Sequence, residues 1–262
     1  MNAIIKVLIL GLTTVLSLAQ ANEGSLKFAV IAEPYPPFSE KRPDGSWQGF
    51  EIDLIHHLCE EMMAKCEIVD TAWDGIIPAL LAKKVDVIFS SMTVTDERSQ
   101  HVLFSHPYYT TVPAVIGQPG LKFSLDKADM SGKIIGVQTS TTSANYLKQK
   151  FDGIAEIRYY DTQEAVNSDL LAGRIDFEVA DDILLASFLK ATGDSLQSYG
   201  IVPYDPILGG GIAAAFRPSD KILAERMNSA IDKMVVSDFF RKLSFKYFAT
   251  NISPIKDEID KN

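Results

Sequence analysis

The sequence predicts an α/β protein built as two lobes, each a mostly parallel sheet flanked by helices, with the chain crossing between them twice. Three observations carry this. From Ser25 onward, short runs rich in β-branched and aromatic residues alternate with amphipathic stretches of helical period, the pattern of strands joined by covering helices. The segment Leu80-Leu81-Ala82-Lys83-Lys84-Val85-Asp86-Val87 returns 90 residues later as Leu170-Leu171-Ala172-Gly173-Arg174-Ile175-Asp176-Phe177, identical at four of eight positions. Two segments, the apolar 111–117 and the Gly-rich 208–216, have the composition of links between such lobes.

The fold begins after an export signal. Lys6 precedes the apolar run 7–18, and Ala19-Gln20-Ala21 puts small residues at the −3 and −1 positions of a cleavage site after Ala21. The run is shorter than the ~20 residues of a membrane-spanning helix, which is the alternative reading. Asn22 rather than a cysteine follows Ala21 directly, which excludes lipid attachment there.

The elements then follow in order. Residues 26–31 read as a strand. A helix over 49–65 places Phe50, Leu54, Leu58 and Met62 on one face. Strand 67–70, helix 73–82 and strand 85–90 complete the first series. The second runs through strand 133–137, helix 141–151, strand 156–160, helix 162–171 and strand 175–179. Asp161 with Glu164 fits a capping box at the last of these helices. Helix 219–236 and the stretch 237–247 return to the first lobe. The resulting division is a first lobe of 25–111 and 215–262, a second of 118–207, and crossings at 112–117 and 208–214. Three adjacent glycines, Gly209 to Gly211, tolerate the dihedral changes of a hinge.

Composition removes several function classes. The chain of 262 residues is 47% apolar and 23% charged, ordinary for a domain with a sizeable core. Its net charge of −9, with no Lys/Arg stripe, excludes nucleic acid as a partner. Two cysteines and four histidines supply neither a Cys₄ nor a Cys₂His₂ zinc site, and no metal or cofactor is expected. Neither G-x-S-x-G nor H-E-x-x-H occurs, and no catalytic residue is assigned. Cys59 and Cys66, in an exported chain, are expected to form a disulfide, with free buried thiols as the alternative.

Candidate binding residues cluster where strands end. In the repeat's register Ser91 and Asp181 are equivalent, each just beyond its strand, where open α/β sheets hold ligands. The loop Glu33-Pro34-Tyr35-Pro36-Pro37-Phe38 is stiffened by three prolines and can present Glu33 and Tyr35 with little entropy to lose. Trp73 is either core or a stacking face. Ser90, Ser91 and Thr93 offer hydroxyls and exposed N–H groups to an anion, and Arg98 can grip a carboxylate. Taken alone, Arg98 is more often a solvated helix residue. Gln138 to Ser143, Thr142 among them, leads into a helix N-terminus, which favours anions; helix capping is the plainer reading.

Several segments together resemble the periplasmic solute-binding proteins of family 3, the polar amino-acid branch that includes lysine/arginine/ornithine, histidine and opine binders. The resemblance spans nearly all of the chain after Ala21. It is carried by Gly49-Phe50-Glu51-Ile52-Asp53-Leu54, Cys59 and Cys66, Trp73-Asp74-Gly75-Ile76-Ile77-Pro78-Ala79-Leu80, and Asp86-Val87-Ile88-Phe89-Ser90-Ser91-Met92-Thr93. It implies a monomer whose lobes close on a cationic L-amino acid and deliver it to an inner-membrane ABC permease. It also implies roles: Arg98, Ser91, Thr93 and Thr142 at the α-carboxylate, Asp181 at the α-ammonium, Tyr35 and Trp73 around the side chain. Glu33 would receive the distal cation, where lysine/arginine/ornithine binders usually have Asp; Ser143 stands where Gln is frequent. Trp73 also resembles opine binders, whereas Asp181 favours a free α-amino group. A cyclohexadienyl-dehydratase-like lyase on the same fold is the enzymatic alternative.

Overall fold

The computed structural model describes residues 25–254; the export signal read in residues 1–21 and the tail 255–262 lie outside them. The first half contains β1 (Leu26–Ile31), the hairpin β2 (Glu40–Lys41) and β3 (Trp47–Gln48), α1 (Phe50–Glu61), β4 (Cys66–Thr71), α2 (Ile76–Leu81), β5 (Val87–Ile88), α3 (Asp96–Ser99) and β6 (Leu103–Phe104). There follow β7 (Pro113–Gly117), α4 (Lys127–Met130), β8 (Ile134–Gln138), α5 (Thr142–Phe151), β9 (Glu156–Tyr160), α6 (Gln163–Leu171), β10 (Phe177–Asp181), α7 (Asp182–Thr192) and β11 (Gln197–Ile201). The chain then returns through β12 (Ala215–Phe216), α8 (Lys221–Val235) and α9 (Asp238–Phe248).

Two five-stranded sheets result, ordered β4-β1-β5-β12-β6 and β11-β7-β10-β8-β9. The crossover helices produce the parallel pairs β1–β4, β1–β5, β8–β9 and β8–β10; each sheet adds antiparallel strands on one side. Both faces of each sheet are covered, so strand residues alternate between two cores rather than between core and solvent. Phe28 and Val30 pack with Leu54 and Leu58 of α1, Met227 of α8 and Phe240 of α9. Ala29 and Ile31 pack on the opposite face with Trp73, Ile76 and Leu80.

The internal repeat is physical. Leu80 and Leu170 are both fully buried, and the turns after them put Lys83 (φ 60°) and Gly173 (φ 68°) in the left-handed region. Asp86 then accepts from Lys27 N at 3.1 Å, and Asp176 from Ile134 N at 2.8 Å. In each lobe the same aspartate ties the incoming strand to the central one.

Several boundaries move for tertiary reasons. Helix 73–82 divides into a 3₁₀ turn at Trp73–Gly75 and α2. Strand 85–90 pairs only over Val87–Ile88, because the chain turns at Ser91 (φ 47°). Strand 175–179 is β10, which runs from Phe177 to Asp181, since β7 pairs along its whole length. Within the expected crossing 112–117, residues 113–117 form β7. The capping box at Asp161 does not form: Thr162 is the N-cap, accepting from Ala165 N at 3.2 Å. Gly209 and Gly211 have positive φ and stand in crowded surroundings. A Cβ on Gly209 would lie 2.3 Å from the Val94 carbonyl oxygen, and one on Gly211 would lie 2.9 Å from Pro107.

Cys59, on α1, is bonded to Cys66, which opens β4. Closing an eight-residue loop contributes roughly 2–3 kcal/mol on the loop-entropy model. Reduction should therefore lower Tm by several degrees, and the unreduced, denatured protein should titrate no thiol. Equal Tm with and without reductant would refute the contribution.

Candidate functional site

The strand ends of both sheets meet at one cleft. From the first lobe come Tyr35, Trp73, Ser90, Ser91, Thr93 and Arg98; from the second come Gln138, Thr141 to Ser143, Gln163 and Asp181. Together they line one narrow cavity between the two sheets. Eight of the nine binding residues read from sequence lie on its walls. Glu33 does not. Its carboxylate accepts from Gln138 Nε2 at 2.7 Å, so it backs the wall through a contact between lobes.

One end of the cleft is built for an anion. Thr95 caps α3 by accepting from Arg98 N, which turns the Arg98 guanidinium inward. There Nη1 donates to the Thr93 carbonyl at 2.9 Å and Nη2 to the Ser140 carbonyl at 3.0 Å, with the guanidinium carbon 5.4 Å from the centre of the Trp73 ring. Opposite stands the start of α5, where Thr141 accepts from Ala144 N and the helix dipole is positive. Burial brings the Arg98 pKa down to about 10, so it remains a cation at neutral pH.

Asp181 supplies the opposite charge. It accepts from Tyr35 OH at 2.9 Å across the cleft and from Thr111 Oγ1 at 3.3 Å. Burial pushes its carboxyl up to about 6, against the pull of Tyr35, Thr111 and Arg98. Asp182 beside it pushes the same way. A positive group placed here would draw the pKa back down.

Behind the first-lobe wall lies a carboxylate that sequence reasoning passed over. Glu51, buried on α1, accepts from Ser91 N at 2.8 Å, Tyr108 OH at 2.6 Å, Tyr109 OH at 3.1 Å and Ser91 Oγ at 3.2 Å. Burial raises its pKa, and the four donors oppose that. The Ser91 N–H, expected to face an anion, is thus spent on Glu51. Ser90 Oγ is likewise occupied, accepting from Ile31 N at 2.8 Å. Gln163 is the other residue not singled out; it and Gln138, which opens the expected anion segment, are both buried and line the cleft. A glutamine opening a helix carries no sequence signal of its own. Glu51 did carry one, as an acid next to the apolar stripe of Phe50, Leu54 and Leu58.

The lobes meet at few points. Trp73 Nε1 donates to the Ser140 carbonyl at 3.2 Å, beside the Arg98 bond to the same oxygen. Ser140 has φ 59°, which turns this carbonyl toward the first lobe.

Comparison with known proteins gives the family and the fold. The model of the bacterial extracellular solute-binding proteins, family 3, matches residues 27–250. An L-arginine-binding protein of Pseudomonas aeruginosa is 39% identical over 229 residues, covering 85% of this chain and 87% of its own. An ancestral arginine-binding protein, solved bound to arginine, superposes with a TM-score of 0.79 at 30% identity over 86% of this chain and 98% of its own. The ancestral amino acid-binding protein AncCDT-1, a precursor of cyclohexadienyl dehydratase, superposes with a TM-score of 0.75 at 31% identity, over 86% and 95%. A match across nearly the whole described chain, at this identity and with this fold, places the protein among the bacterial extracellular solute-binding proteins, family 3.

Proposed function

We propose that the chain is the periplasmic binding subunit of an ABC importer, that it binds a cationic L-amino acid, arginine foremost, and that it releases it unchanged to an inner-membrane permease. The carrying observation is the pairing of Arg98 and Asp181 on facing walls of one cleft. A zwitterion satisfies both: its carboxylate meets Arg98 and the start of α5, its ammonium meets Asp181. Neutral dipoles alone bond these two charges in the described contacts, so a ligand that brings both counter-charges gains most. Residues 1–21, with cleavage after Ala21, would direct export, and the ligand-bearing form acts as a monomer.

The distal end sets the preference. Tyr35 and Trp73 can flank an extended side chain, and a cation against them gains roughly 0.5–2 kcal/mol. Glu33, reached past Gln138, accepts charge-assisted hydrogen bonds, two of them from a planar guanidinium. Burial raises the Glu33 carboxyl, which a cation would reverse. The free ammonium that Asp181 favours argues against an opine. Turnover is tested directly: prephenate and arogenate should persist unchanged, and rapid aromatisation would assign a lyase instead.

Calorimetry with a ligand panel tests the reading. Arginine should bind above ornithine and lysine, and all three well above glutamine, glutamate and leucine; a panel led by a neutral or acidic ligand would overturn it. Arg98→Ala and Asp181→Ala should each cost several kcal/mol for every amino acid, because the ligand charge is buried without its partner. Glu33→Gln should weaken arginine while glutamine loses little. Equal losses for both would leave Glu33 a loop-holding residue only.

The pH dependence has a definite sign. The Asp181 carboxyl is raised, so below about pH 6 a proton competes with the ligand ammonium. Affinity should be level above pH 7 and fall toward tenfold per unit below 6, where the ligand's own α-groups do not titrate. Titrations at pH 4.5 to 8 check this, and a flat profile would show that Asp181 does not meet the ammonium.

A further inference from the structure

Asp181 has a partner that does not line the cleft. Its Oδ2 accepts from Tyr35, which belongs to the other lobe, and its Oδ1 accepts from the Thr111 hydroxyl at 3.3 Å. Tyr35 is on the cleft wall and Thr111 is not.

The hydrogen bonds on either side of Thr111 place it where the chain passes from one lobe to the other. Tyr108 N donates to the Ile212 carbonyl at 2.8 Å, and Ile212 N to the Tyr109 carbonyl at 2.9 Å. Both tyrosine hydroxyls also bond Glu51, so residues 108 and 109 are fixed to the first lobe. From Val112 onward the chain is fixed to the second. Asp182 N donates to the Val112 carbonyl at 2.9 Å, Val112 N donates to Asp182 Oδ1 at 3.3 Å, and Pro113 is the sheet partner of Asp181. Thr110 and Thr111 are the two residues between these anchored stretches.

The two bonds on Asp181 therefore respond differently when the lobes part. Tyr35 is carried away with the first lobe. Thr111 stays, because it stands two residues before Pro113, which is paired with Asp181 itself. We propose that Thr111 is a positioning residue for the ammonium site: its hydroxyl holds Asp181 Oδ1 while the cleft is open, so that the carboxylate is aimed before the ligand arrives, and Tyr35 adds its bond to Oδ2 on closure. The inference rests on the reading that Asp181 meets the ligand ammonium, and it adds the residue that prepares Asp181 for it.

The groups around Asp181 give the test its sign. Burial lifts this carboxyl to about 6, the Tyr35 and Thr111 bonds and the Arg98 charge favour its ionised form, and Asp182 opposes it. Tyr109, raised by burial and by Glu51, also feels Asp181 and stays neutral. Loss of a donor to the ionised form raises a carboxyl pKa, so without the Thr111 hydroxyl acid should weaken binding at higher pH.

Arginine binding is measured by calorimetry on the full protein from pH 4.5 to 8, for wild type, Thr111→Ser, Thr111→Val and Tyr35→Phe. The acid midpoint is the pH at which acid has halved the affinity. Thr111→Val keeps the shape and loses the hydroxyl; it should weaken arginine by about three- to tenfold at pH 8 and raise the midpoint by about half a unit. Thr111→Ser keeps the donor, so affinity should stay within about twofold of wild type and the midpoint should not move. Tyr35→Phe should weaken arginine and leave the midpoint in place, since the open, free protein sets it. A folded Thr111→Val with the wild-type midpoint overturns the proposal, as does a Thr111→Ser or a Tyr35→Phe that shifts as far as Thr111→Val. If Thr111→Val does not fold, Thr111→Ala is judged by the same criteria. Wild type that ignores arginine, or whose affinity is level across the whole range, overturns the ligand reading itself, and this inference with it.

Discussion

Two opposite charges held in one narrow cleft, each bonded to neutral dipoles, set the conditions for everything around them. Arg98 donates to two backbone carbonyls, and Asp181 accepts from two hydroxyls. Neither is in an ion pair among the described residues. Hydrogen bonds to dipoles recover part of the hydration that such groups lose, and a counter-charge recovers more. The cleft is thus left with an unmet electrostatic demand at two points of opposite sign. A zwitterion of the right span meets both at once, which an anion or a cation alone does not.

The walls that hold these charges are themselves under local strain. Ser91 and Ser140 both adopt left-handed backbone conformations without being glycine, at a cost of order 1–3 kcal/mol each. Each is held by a converging set of hydrogen bonds. Glu51 fixes Ser91 from behind, with Tyr108 and Tyr109 completing its shell. The Ser140 carbonyl receives Trp73 and Arg98 from the opposite lobe. Strain at these two turns, and not in the sheets, aims the strand ends at the ligand volume.

The sequence made the scaffold legible wherever burial imposes a period. Phe50, Leu54 and Leu58 announced α1, and the repeat around Leu80 and Leu170 announced two similar lobes because an aspartate and a left-handed turn do the same work in each. It was less informative where tertiary pairing decides. The antiparallel strands β7 and β12 look like linkers, since their apolar residues find partners far along the chain. Tyr35, Trp73, Arg98 and Asp181 stood out by chemistry and by their places after strands. Gln163 did not, because a buried polar residue is recognisable only through the groups that satisfy it.

Few contacts cross the cleft, and this bears on how the protein responds to ligand. Tyr35 to Asp181, Trp73 to Ser140, Arg98 to Ser140 and Gln138 to Glu33 are the main polar links. Each contributes about 0.5–1.5 kcal/mol net, and somewhat more where a charge takes part. Against this stands the cost of withdrawing Arg98, Asp181 and Glu33 from water. These two terms oppose each other in closure, and in the proposed reading a bound zwitterion favours the closed form by relieving that cost. The measured affinity then contains both the contacts made and the fraction of molecules already closed. Trp73 enters both quantities, since its ring lines the cleft and its N–H ties the lobes. Changes at that residue alter how tightly the ligand is held and how often the cleft is shut.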